Sequence, residues 1–87
     1  MSEAQAQYLG RIGDDCAALL GRDAAVLGVG EAKLGGTVRL FVRYMFAGKQ
    51  HETIATGDTV VAAHAALRSQ LVHDRLRIGF TSLVSDE

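Results

Sequence analysis

The sequence predicts an α+β fold, a small antiparallel sheet packed against helices in the order α-β-β-β-α-β. Three observations lead there. Apolar residues recur at helical spacing in two segments, residues 3–20 and 58–73. Between them, Val38, Leu40, Val42, Tyr44 and Phe46 alternate strictly with other residues, the period of a strand. Glycines punctuate the middle of the chain where hairpin turns need them.

Each element has its own signal. In residues 3–20, Tyr8, Ile12, Cys16 and Leu19/Leu20 make one helical stripe, widened by Leu9, and Gly21 is placed to stop the helix. Ala25–Lys33 reads as a soft strand with Leu27 and Val29 on one face and the bare Gly28 and Gly30 on the other. Leu34-Gly35-Gly36-Thr37 is a turn. Thr37–Phe46 is the strongest strand, with the five alternating residues on its core face and Arg39, Phe41, Arg43 and Met45 opposite. Ala47-Gly48-Lys49 turns the chain into a more polar strand, Gln50–Thr56. Gly57, Asp58 and Thr59 form the helix start, with Asp58 or Thr59 as N-cap. The helix carries Val60, His64, Leu67 and Leu71 on one stripe to about His73, kept slim by Ala62, Ala63, Ala65 and Ala66. Leu76–Val84 reads as a last strand, with Leu76, Ile78, Phe80 and Val84 sharing a face.

The chain of 87 residues suits a single domain, 1–87. Such a domain buries roughly 60–65% of the surface its unfolded chain exposes, so its core is thin and a surplus apolar face favours a homodimer. Hydrophobic residues are 48% and charged residues 22%, the balance of a globular chain. The net charge of −1 argues against a dedicated nucleic-acid or anionic-membrane binder. No apolar run approaches the ~20 residues of a membrane span, so membrane insertion is not expected. The N-terminus is polar without a signal-type apolar core, and the single Cys16 cannot form an intrachain disulfide; both make the location expected to be cytoplasmic.

The stretch Val38–Leu67 joins a long strand, the Gly48 turn, a polar strand, Thr56-Gly57-Asp58 and the helix Val60-Val61-Ala62-Ala63-His64-Ala65-Ala66-Leu67. It resembles the regulatory C-terminal domain of isopropylmalate and citramalate synthases, a likeness extending over about Ala25 to Leu71. The resemblance implies a dimerising domain that binds a feedback amino acid at its interface and does no chemistry. The helix–three strands–helix order also resembles a double-stranded-RNA-binding domain. That family holds phosphates with lysines at the start of its second helix, where this chain has Asp58, Thr59, Val60 and Val61. The pair Ala63-His64 is similar to one in the cytosolic domain of cation diffusion facilitators, although the final segment has Phe80 and Ser82 where a histidine and an acid belong.

Candidate chemistry is sparse. His64, the ionisable group on an apolar stripe, could be a base or a ligand, but a hydrogen-bonded residue at the core edge explains it as simply. A small enzyme using His64 and Asp58 is an alternative without a supporting constellation. His51, His73 and Cys16 lack the close spacing of a metal site, so no metal or cofactor is expected. Gly28-Val29-Gly30 with Gly35-Gly36 is not followed by a helix, as a dinucleotide fingerprint would be. The acid pairs Asp14-Asp15 and Asp86-Glu87 read as solvated charge. The most informative set is Arg39, Phe41, Arg43 and Met45 on the second face of the long strand, extended by Arg77 and Thr81 if the last strand lies alongside. Apolar and cationic groups on one sheet face suit self-association or a small carboxylate ligand. The competing reading is that the first helix covers this face. The expectation is therefore a non-catalytic regulatory or assembly module, homodimeric and able to bind an amino-acid-like molecule, with a nucleic-acid-binding accessory protein as the alternative.

Overall fold

The computed structural model describes residues 3–85, and side chains through Phe80. Its elements are α1 (Glu3–Leu20), β1 (Ala24–Leu34), β2 (Thr37–Phe46), β3 (Lys49–Gly57) and α2 (Val60–Ser85). The strands form one antiparallel sheet in the order β1-β2-β3. Both helices lie on the same face of it. α1 contributes Leu9, Ile12, Cys16 and Leu20 to the core, β2 contributes Val38, Leu40, Val42 and Tyr44, and α2 contributes Ala63, Leu67, Leu71 and Ile78. The fold is α+β, as the sequence predicts.

The β2 alternation places four of its five residues in the core, and Phe46 is half-buried at the strand end. There its ring lies beneath the Arg75 guanidinium, 5.9 Å from the centroid. Arg75 also donates from Nε to the Leu20 carbonyl at 2.9 Å, capping the end of α1. α1 thus stops level with Arg75, and residues 76–85 carry α2 past it.

Two expectations are corrected. Leu76–Val84 is not a strand: it continues α2. Ile78 lies seven residues beyond Leu71 on the same helical stripe and is buried, so helical periodicity never stops. With that strand absent, Arg77 is not beside β2 but on α2, in the layer on the other side of the sheet; its Nη2 is 3.9 Å from Asp74 Oδ1. The side chain of Thr81 and the pair Asp86-Glu87 lie outside the described residues. The second correction is in β1. A bulge between Val26 and Gly28 shifts the register, so Val26 and Val29 face the core opposite Tyr44 and Val42, and Leu27 is exposed. An extra residue in one strand turns its side chain away from the face that alternation would give it.

The turns and the helix start follow local chemistry. Ala47 and Gly48 both have positive φ, 55° and 78°, the geometry of a tight hairpin between β2 and β3. Thr59, not Asp58, caps α2: its Oγ1 accepts the Ala62 N–H at 3.1 Å. Gly57 is held against this first turn, and a Cβ there would stand 2.5 Å from the Ala63 nitrogen.

Candidate functional site

Because the helices share one face, the opposite face of the sheet carries no layer among the described residues. Cross-strand pairing arranges it in rows. Ala32, Arg39 and Thr56 form one row, Gly30, Phe41 and Ile54 the next, then Gly28, Arg43 and Glu52, then Ala25, Met45 and Gln50. The sequence-derived set Arg39, Phe41, Arg43 and Met45 therefore runs down the middle of this face, and the reading in which α1 covers it does not hold. Ile54, from β3, joins them as an exposed apolar group that sequence reasoning missed. Its signal was present, since Ile54 alternates with the buried Thr53 and Ala55.

Phe41 and Gly30 explain each other. They are direct cross-strand partners, and the Phe41 ring lies so close over Gly30 that a Cβ there would overlap its Cζ. The ring reaches across to β1, covering backbone that the glycine would leave bare. Arg43 extends over this ring, its guanidinium 5.9 Å from the centroid, and donates from Nε to Glu52 Oε2 at 2.9 Å. Arg39 differs. Its cross-strand neighbours are Ala32 and Thr56, and no carboxylate pairs with it among the described residues. The face thus offers a flat aromatic centre, an apolar flank of Ile54 and Met45, one neutralised guanidinium and one uncompensated guanidinium. Such a surface can bind or pair.

The remaining candidates lie in the helical layer. His64 does not meet Asp58. Its Nε2 is 3.0 Å from Asp15 Oδ2, and Arg68 Nε reaches the same oxygen at 3.0 Å. Asp15 is therefore a bridge between α1 and α2, not the solvated charge the sequence suggests. Cys16, beside it, is fully buried, and burial, reinforced by Asp15, pushes its thiol up to about 11. His51 Nε2 lies 3.0 Å from the Phe46 carbonyl. Among the described residues, no three His, Cys, Asp or Glu side chains gather as a metal site.

Two polar clusters went unread in the sequence. Glu31 sits on the core face of β1 with its side chain only 2% exposed. It accepts hydrogen bonds from the Tyr8 hydroxyl and from Gln5 Nε2, the latter at 2.9 Å, and ties the start of α1 to the sheet edge. Burial, then the bond to Glu31, raises the Tyr8 pKa. The second cluster is a relay. The buried Tyr44 hydroxyl donates to Thr53 Oγ1 at 2.9 Å, and Thr53 donates to Asp74 Oδ2 at 2.8 Å. Gln70 Nε2 donates to the other Asp74 oxygen at 3.0 Å. Burial is the main cause that raises the Tyr44 pKa.

No protein-family model, curated protein or solved structure matches this chain.

Proposed function

We propose that the chain is a non-catalytic regulatory or assembly module that pairs with a second copy of itself through the open face of its sheet. One observation carries this reading: both helices pack on one face, and among the described residues nothing lies over Phe41, Ile54 and Met45 on the other. Two such faces stacked about a two-fold axis form a four-layer assembly in which each sheet is covered on both sides. Phe41 lies at the centre of the contact, Arg43 enters it between Phe41 and Met45 with its charge matched by Glu52, and Arg39 stands towards the end of the strand. Arg39, with no acidic neighbour among the described residues, is the group suited to a small carboxylate at the interface, because a guanidinium fork matches that group. The likeness to the regulatory domain of isopropylmalate and citramalate synthases supports the same reading and supplies the ligand class, an amino-acid-like molecule.

Native mass spectrometry of protein taken directly from its host tests both parts together. The reading expects a dimer mass, with any retained small molecule lost in Arg39→Ala. A monomer under conditions that preserve weak complexes contradicts it.

A flat aromatic between arginines also fits a second reading, an accessory protein for single-stranded nucleic acid, since bases stack on such rings. Glu52 and the net charge of −1 count against it. Binding of an oligonucleotide that weakens steeply with salt and is lost in Phe41→Ala would favour it over self-association.

A further inference from the structure

We infer, resting on the face-to-face pairing proposed above, that the dimer holds one ligand site on its two-fold axis, that each copy supplies one Arg39 guanidinium to it, and that it takes a dicarboxylate. The open face is uneven from edge to edge. Its β1 positions, Ala25, Gly28, Gly30 and Ala32, are small, and its β3 positions, Gln50, Glu52, Ile54 and Thr56, are all larger, with β2 between them. Two large β1 residues stand outside these rows: Leu27 in the bulge, and Leu34, whose partner Thr37 has no β3 neighbour. Stacked sheets align within about 30°, which leaves two orientations about a two-fold axis lying between them. With the axis across the strands, β1 lies over β1 and β3 over β3, so bare meets bare and bulk meets bulk. With the axis along β2, β3 of each copy lies over β1 of the other, and Ile54 descends on the Phe41 ring where it covers Gly30. Close packing selects the second.

Charge then locates the ligand. With the axis along β2, the residues of that strand meet their own copies, Arg39 opposite Arg39 and Arg43 opposite Arg43. Within the rows of this face the charged residues are Arg39, Arg43 and Glu52. Arg43 lies 2.9 Å from Glu52, so the two copies of Arg43 meet with their charges matched. The two copies of Arg39 have no acid in these rows, and like charges facing each other oppose association. Sheets stack ~10 Å apart, so the two guanidinium groups lie within reach of one short molecule. A molecule with two carboxylates cancels both charges and gives each guanidinium fork a partner of its own. Acidic amino acids belong to this class. One copy holds only half of the site, so a ligand that needs both halves tightens the dimer.

Sedimentation equilibrium at constant ionic strength, with succinate as the probe, tests the site. Titrated to about 10 mM, succinate should lower the wild-type dimer Kd by roughly tenfold, while acetate at equal carboxylate concentration should leave it within about twofold. Arg39→Gln removes the opposed charges, so it should dimerise with a Kd that succinate leaves unchanged. Native mass spectrometry of the wild type should find one succinate per dimer. Thr37→Cys and Met45→Cys read the orientation through a bifunctional maleimide about one sheet spacing, ~10 Å, in length; Cys16 is fully buried and stays silent. An axis along β2 brings residues 37 and 45 each opposite its own copy, so both cross-link. An axis across the strands at Phe41 sets each about 26 Å from its copy along the strand. A chain that stays monomeric with and without succinate defeats the pairing itself. A dimer that succinate does not tighten, that acetate tightens equally, that takes two succinates, or whose Arg39→Gln form still responds overturns the shared site and leaves the pairing standing. A dimer in which either cysteine fails to cross-link overturns the orientation, and the shared site with it.

Discussion

Replacing Thr53 by valine should cost about 3 kcal/mol, and replacing Tyr44 by phenylalanine in the same molecule should return part of it. Thr53 is 1% exposed, and its hydroxyl is the middle link between Tyr44 and Asp74. Valine keeps the shape and removes the link. Asp74 then loses a hydrogen bond to a charged group, worth about 1.5–3 kcal/mol, and the fully buried Tyr44 hydroxyl is left without an acceptor, at about 1–3 kcal/mol. Tyr44→Phe alone removes one neutral hydrogen bond, at about 1 kcal/mol, since Thr53 keeps its bond to Asp74. In the Thr53→Val background the same change deletes an orphaned hydroxyl and becomes stabilising by about 1 kcal/mol. The substitution thus changes sign with its background, a coupling of about 2 kcal/mol in a double-mutant cycle. Urea unfolding of the four proteins at one fixed concentration measures it, because association shifts apparent stability. Simple additivity, with the double variant the least stable of the four, would refute the relay.

Three further outcomes follow from local geometry. Ala47 occupies the left-handed region at a φ of 55° beside Gly48; Ala47→Asn should raise stability by about 0.5–1 kcal/mol in thermal unfolding, since asparagine tolerates that conformation at less strain. Gly57→Ala should lose about 1–3 kcal/mol, because its Cβ would press on the backbone of Ala62 and Ala63; unchanged stability would place α2 further from β3. Burial raises the Cys16 pKa from 9.0 to about 11, so the thiol contributes stability that is whole below pH 9 and lost as pH rises through 11. That loss is roughly 3 kcal/mol, should vanish in Cys16→Ala, and is read from unfolding curves across that range.

Most of the fold was legible because its signals were local. β2 alternates without interruption, and its register follows from the apolar residues alone. α1 is framed by a stripe and a glycine. What misled was polarity inside the core. Asp74 falls on the buried stripe of α2 between Leu71 and Ile78, and its three neighbouring donors, Thr53, Gln70 and Arg77, come partly from another element. Read without them, an aspartate ends the helix, and Leu76, Ile78 and Phe80 then pass for an alternating strand. Glu31 hid in the same way, since its partners Gln5 and Tyr8 lie more than twenty residues away. The bulge at Leu27 left no trace except the flanking Gly28, because a register shift is decided by the partner strand. At the candidate site, the sequence separated the two faces of β2 correctly. It could not say which face both helices would choose, and the accessibility of Phe41 and Arg39 depends on that.

Sedimentation equilibrium of the wild type against Phe41→Glu tests the self-association reading most directly. Phe41 lies at the centre of the open face and outside the helical core, so the substitution should leave the monomer folded, verified by an unchanged circular dichroism spectrum. The account predicts a dimer at micromolar concentration for the wild type and a monomer for Phe41→Glu, because pairing would bury the new carboxylate against Ile54 and Met45 of the second copy. A wild-type monomer at high micromolar concentration, or a dimer that Phe41→Glu leaves intact, would contradict it.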